Sequence, residues 1–263
     1  MSVKHNFRKL LLVTTSCAFF AACADTSISS PGTQDPGTPP GGGGGGGGGQ
    51  TLDLIGSNGC GDARETEITS DDTTIQACEI TGNITSDATL PGGSSYVITG
   101  PVFVGTDTGT GGASATLTIE AGAQLFGNAG SDYIVIARGS RIEANGTSSA
   151  PIVMTALADI LGETGENTRG QWGGLVINGF APINACTDGT AVGGSADCEK
   201  SGEGSSGLFG GDDPTDSSGT LNYVQVRYAG FEINGEDELN GIAFQGVGNG
   251  TDVDYIQVHN NKD

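Results

Sequence analysis

The sequence predicts an all-β chain whose folded part winds as a parallel β-solenoid, and three observations carry that expectation. Apolar residues alternate over short stretches, so that Leu117 and Ile119, and again Ile134 and Ile136, share one side of a strand. The stretch also repeats. Leu117-Thr-Ile119-Glu-Ala-Gly122-Ala-Gln-Leu125 is followed seventeen residues on by Ile134-Val-Ile136-Ala-Arg-Gly139-Ser-Arg-Ile142. Each copy reads as one coil, with Gly122 or Gly139 at a corner where positive φ is needed. The third observation is composition: 48 glycines with 6% aromatic residues suit short strands and many turns, since each glycine costs a helix about 1 kcal/mol. One such unit cannot bury its apolar side, whereas coils stacked about 4.8 Å apart share a continuous core.

The N-terminus precedes that body. Lys4, Arg8 and Lys9 form a positive start, and Leu10 to Ala22 is an apolar run too short to span a bilayer, so residues 1–22 read as an export signal. Phe20-Ala21-Ala22-Cys23 resembles the lipobox of bacterial lipoproteins, with Phe20 standing where Leu is usual. The resemblance implies that Cys23 is acylated and becomes the first mature residue. With Ala24 rather than Asp following it, the implied address is the outer membrane of a Gram-negative bacterium, on its periplasmic or cell-surface side. The competing reading is an ordinary signal peptide that leaves Cys23 as a thiol.

Residues 23–50 read as a tether: a Pro-rich stretch from Pro31 to Pro40, then nine glycines, Gly41 to Gly49. The first half is stiff, the second a flexible coil. Such a tether suits a folded body held off a membrane by a lipid on Cys23, where each buried methylene contributes about 0.8 kcal/mol. What remains is one domain of roughly 200 residues.

Loss of the leader removes three of the ten Lys and Arg residues and none of the 31 Asp and Glu, leaving a mature net charge of −24. This makes nucleic acid and anionic membrane surfaces poor partners and divalent cations or cationic surfaces better ones. Acid carried for solubility alone is the competing reading.

Residues 51–95 are expected to cap the open end of the solenoid, which otherwise exposes core and strand edges. Cys60 and Cys78 bracket part of this segment, and Cys186 and Cys198 bracket a Gly- and Asp-rich excursion. In an oxidising compartment these neighbours are expected to pair, the Cys60–Cys78 bridge contributing about 3 kcal/mol for a loop of its size, although four cysteines allow three connectivities. A cysteine metal site is disfavoured, because His259 is the only mature histidine and no C-x-x-C occurs.

Residues 96–263 carry the coils. A strand pair runs from Tyr96 to Val104, a polar loop from Gly105 to Gly112, then the repeated units, a strand at Pro151 to Thr155, a loop or short helix from Ala156 to Arg169, and a further coil from Gly170 to Asn184. Asn145-Gly-Thr-Ser-Ser-Ala-Pro-Ile-Val-Met-Thr, Trp172-Gly-Gly-Leu-Val-Ile-Asn-Gly and Leu221-Asn-Tyr-Val-Gln-Val-Arg-Tyr-Ala-Gly230 together resemble a group of bacterial surface lipoproteins built on a right-handed parallel β-helix. The resemblance covers about residues 100–263 and implies the fold and its handedness. It implies no reaction. Leu221-Asn-Tyr-Val-Gln-Val-Arg also aligns with Val253-Asp-Tyr-Ile-Gln-Val-His at an offset of 32, with Ile242-Ala-Phe244 between, so each coil there is expected to hold at least two strands. Similar proteins continue into further coils beyond the position of Asp263, so a truncated β-helix with an exposed last rung is expected.

Candidates for chemistry are few. Asp212 and Asp213 resemble the paired aspartates of polygalacturonase-like hydrolases, where two carboxylates of split pKa activate water and protonate the leaving oxygen. The companion Gly-His-Gly and Arg-x-Lys of those enzymes do not occur, and Pro214 with its Ser and Gly neighbours marks a surface loop. Lyase chemistry would need cations beside a uronate, and Arg138, Arg141 and Arg227 are expected to be surface arginines. Calcium is the expected ligand class for two groups of acids, Asp212, Asp213 and Asp216 in one and Asp252 and Asp254 in the other, since it takes six to eight oxygens. Solvated loop acid is the competing reading for both. Trp172 is expected at a core or corner position.

Two functions follow. The first is an outer-membrane-anchored, non-enzymatic scaffold with a long acidic face for adhesion or contact with extracellular polysaccharide. The second is a β-helix polysaccharide lyase or glycoside hydrolase whose decisive residues lie in further C-terminal coils.

Overall fold

The computed structural model describes Cys60, residues 65–70 and residues 73–263. The export signal, Cys23 and the tether lie outside the described residues. The chain runs β1 (Glu65–Ser70), β2 (Thr73–Ile84), β3 (Ala88–Leu90), β4 (Ser95–Val104), β5 (Thr116–Glu120), β6 (Gln124–Gly127), β7 (Tyr133–Ile136), β8 (Arg141–Asn145) and β9 (Ile152–Ala156). After the single helical turn α1 (Leu157–Ile160) come β10 (Gly174–Asn178), β11 (Lys200–Ser201), β12 (Leu208–Phe209), β13 (Gly219–Asn222) and β14 (Val224–Arg227). The last strands are β15 (Glu232–Asn234), β16 (Asp237–Glu238), β17 (Ile242–Gln245), β18 (Asp252–Asp254) and β19 (Gln257–His259).

Strand pairing shows a parallel β-helix with three faces. The first face stacks the middle of β2 on the first half of β4, then β6, β9, β14 and β19. The second stacks the end of β2 on the second half of β4, then β7, β10 and β17. The third stacks β3, β5, β8, β13 and β18. The expected strand pair at 96–104 is therefore one strand that turns a corner at Gly100 (φ +68°) and Pro101, each half belonging to a different face.

This geometry corrects the meaning of the seventeen-residue repeat. Leu117 lies on the third face and Ile134 on the second, so the two copies are not successive coils; both are strand, glycine corner, strand units placed around one triangular winding. The true coil is longer, as Leu117 stacks on Ile142 and Tyr96 on Leu125. The glycine assignments hold, with φ of +83° at Gly122 and +78° at Gly139. The offset of 32 is a genuine coil: Leu221 registers with Val253, and Gln225 with Gln257. Tyr223 and Tyr255 at its corner stack with ring centroids 4.5 Å apart and 3° between planes, both at φ near +50°.

Inward-facing residues form columns through the stack, such as Cys78, Tyr96, Leu125, Met154 and Val226 on the first face and Ile84, Val104, Ile136 and Ile177 on the second. All are buried, which is the apolar burial that the alternating pattern requires. Trp172 is fully buried among them and donates its indole N–H to the Arg227 carbonyl at 2.8 Å. Gly127 makes room for it, since a Cβ there would lie 2.7 Å from the Trp172 Cβ.

Two of the three outer faces are covered. The antiparallel hairpin β1–β2 and α1 lie over the first, burying Ile68, Ala77, Val97, Phe126 and Leu157 together. The 51–95 segment thus divides: part is this hairpin, tied to Cys60 by the Cys60–Cys78 disulfide, and 78–90 is itself a rung. The second face is covered by the excursion from 179 to 218 and by the loop carrying β15 and β16, against which Tyr133, Val135, Val176, Leu239 and Ala243 pack. A Cys186–Cys198 disulfide closes part of that excursion.

Candidate functional site

Among the described residues, nothing covers the third face. Its outward positions stack Thr89, Thr118, Glu143, Thr220 and Asp252 in one column and Glu120, Asn145, Asn222 and Asp254 in the next. None of these residues is buried. Arg141, exposed at the edge of β8, is the one cation on its strands. Asp252 and Asp254 do share this face, on either side of Val253. The Asp254 carboxylate accepts from the Tyr255 N–H.

The second acidic group does not converge. Asp213 turns its carboxylate back on the backbone N–H and hydroxyl of Thr215, at 2.9 and 2.7 Å. Asp216 accepts from the Phe180 N–H at 3.2 Å and so ties the loop to the end of β10. Asp212 is exposed. Among the described residues, no group of three or more His, Cys, Asp or Glu side chains is placed to hold a metal ion.

The carboxyls of Asp213 and Asp216 are nevertheless pushed in opposite directions. The Thr215 hydroxyl and N–H hold Asp213 below its ordinary value. Burial, with the Asp213 charge adding to it against the Phe180 N–H, raises Asp216 above 3.8. A carboxyl raised on folding contributes stability that is present below its unfolded pKa and is lost as pH rises through its folded one. Asp216→Asn keeps an oxygen for the Phe180 N–H and removes the charge. The variant is expected to melt higher than the parent at pH 7, and the gap should close as pH falls below about 4. Thermal melts across pH 3 to 7 check this.

Arg138 was expected at the surface and is instead the most buried cation described, its side chain 0% exposed. It follows the outer position Ala137 on the third rung, and the excursion folds over it. Its Nε and Nη2 form a fork on Asp107, at 3.0 and 2.5 Å, and its Nη1 donates to Glu199 at 2.6 Å and to the Gly210 carbonyl at 2.8 Å. Phe180 lies under the guanidinium, 4.8 Å from ring centroid to Cζ. Burial pulls this guanidinium down, but hydrogen bonds and charge from Asp107 and Glu199 outweigh it and hold it above its ordinary value. Three segments distant in sequence are thereby joined on one cation. Arg227 is half-exposed and paired more loosely, 3.4 Å from Asp159. Neither arginine is left to meet a substrate carboxylate.

Beside Arg138, between the second face and the excursion, runs a groove of about 280 Å³. Asn83, Phe103, Gly105, Ala137 and Asn178 form its floor on successive rungs, and Ser206, Gly207 and Leu208 form its wall. The Asn178 side-chain N–H donates to the Ser206 carbonyl at 2.7 Å. Asn178 Oδ1 and Ser206 Oγ are buried without a hydrogen-bond partner. Sequence reasoning missed this groove. Its only trace there was the length and Gly, Ser and Asp content of the 179–218 excursion.

Residues 82–263 match a family model described as a pectate-lyase-like β-helix domain. No curated protein and no solved structure matches the chain.

Proposed function

The chain belongs to the family of pectate-lyase-like β-helix domains, and on that premise we propose that it is an outer-membrane lipoprotein whose β-helix serves as a non-enzymatic scaffold for adhesion or glycan contact. The observation that carries this reading is the third face, which nothing among the described residues covers. Repeated threonine, asparagine and carboxylate side chains stand there at strand spacing, a surface that can meet a long polar polymer at many equivalent points. Three of the groups that chemistry would draw on are occupied in holding loops: Arg138 by Asp107 and Glu199, Asp213 by Thr215, Asp216 by Phe180. Calcium belongs to the same proposal as a ligand of this acidic face, at Asp252 and Asp254. Anchoring rests on Cys23 and the tether that follows it.

The test is made on cells expressing the full chain. Membranes should retain fluorescent polysaccharide, and Cys23→Ser should release the protein, with its bound polysaccharide, into the soluble fraction. A polysaccharide lyase or glycoside hydrolase is the second reading, favoured by the match of residues 82–263 to a pectate-lyase-like β-helix domain. Membranes that shorten the polymer would favour it.

A further inference from the structure

We propose that the groove over the second face binds one neutral sugar residue, the end unit of a glycan chain. The inference rests on the glycan-contact reading above and gives it a place distinct from the third face. At about 280 Å³ the groove lies just below the roughly 300–1,000 Å³ of ordinary small-molecule sites, so it takes one ring and not a run of polymer.

Its lining matches a sugar in chemistry. Phe103 and Leu208 offer apolar surface to the C–H side of a ring, while Asn83, Asn178 and Ser206 offer neutral polar groups. Asn178 and Ser206 are 1% and 0% exposed, and Asn178 Oδ1 and Ser206 Oγ are unpartnered. Polar groups buried in this way are ordinarily paired. Sugar hydroxyls both donate and accept, so one ring can satisfy the amide oxygen, whereas Ser206 Oγ lies toward Gly202, where an added Cβ would clash with it. The lip beside them is Gly207, exposed and at φ +94°, where even a Cβ would stand 3.5 Å from the Asn178 nitrogen. The amide oxygen is buried as the groove stands, so this side-chain-free lip must shift before a ligand hydroxyl meets it.

Charge selects against acidic sugars. The two ions that line the groove, Arg138 and Asp107, are bonded to each other, and Glu199 behind them leaves the cluster net negative. A uronate carboxylate would find no free cation there, in a chain whose formal charge is −21.

Saturation-transfer NMR on the full chain tests this with the methyl glycosides of glucose, galactose, mannose and xylose, and with glucuronate and galacturonate. At least one neutral glycoside is expected to bind saturably in the millimolar range, and the matching uronate roughly tenfold more weakly. Asn178→Leu, which removes the amide oxygen and leaves the Ser206 carbonyl without its donor, and Asn83→Trp, which fills the groove from its half-buried floor, should each abolish the signal, the first melting several degrees lower and the second like the parent. Equal binding of the uronate, or undiminished binding in both variants, overturns the proposal. If no glycoside binds while labelled polysaccharide is still retained, the groove assignment falls and the scaffold reading stands. If neither glycoside nor polysaccharide binds, both fall.

Discussion

Arg138→Ala is expected to destabilise the fold by about 3–5 kcal/mol, the cost of breaking a buried ion pair from one side. The arginine side chain is wholly buried, whereas Asp107 and Glu199 are 17% and 36% exposed, so water relieves part of the charge left behind and the lower half of that range is expected. The loss also removes the donor to the Gly210 carbonyl and the cation over Phe180. Arg138→Lys keeps the charge but not the fork on Asp107 and should recover only part of the stability. Urea unfolding followed by Trp172 fluorescence measures both, and proteolysis within the 179–218 excursion should rise in parallel. A loss below about 1 kcal/mol would mean that the excursion is held by other contacts.

Trp172→Ala is the second large effect, expected at about 3–5 kcal/mol for truncating a fully buried aromatic residue. The residue fills the space left by Gly127 and donates to the Arg227 carbonyl. Trp172→Phe retains most of the packing and leaves that carbonyl unpaired, so it should cost about 1–3 kcal/mol. Because Trp172 is the only tryptophan, circular dichroism replaces fluorescence as the probe. Equal losses in the two variants would place the whole effect in the hydrogen bond.

The parts of this fold that were legible in the sequence are those that repeat. Alternation placed Leu117, Ile119, Ile134 and Ile136 inside, and all four are buried. The offset of 32 gave the registers of β13 on β18 and β14 on β19. The seventeen-residue repeat misled because a three-faced coil has a glycine corner between its faces as well as between its windings. A strand, corner, strand unit therefore resembles its neighbour one face on as closely as its counterpart one coil on.

What covers the outside was not legible. Arg138 meets Asp107 31 residues before it and Glu199 61 residues after it, separations set by the lengths of irregular loops and by no period. An outward arginine on a coil reads as solvated unless the excursion that buries it is known to fold back. The same holds for Asn178 and Ser206, which become a pair of buried polar groups only because 206–208 returns to the second face. Cysteine pairing was nearer to hand, since closing short loops between neighbours needs no knowledge of the coils.

The central claim, glycan contact without turnover, is tested most directly by incubating the full chain with neutral polysaccharides and uronate-containing polysaccharides and measuring bound polymer and new chain ends in one sample. The account predicts saturable retention of a neutral polysaccharide with no increase in reducing ends and no unsaturated uronate. New ends accumulating in proportion to protein and time, and lost in Asp213→Asn or Asp216→Asn, would contradict it and make the chain an enzyme.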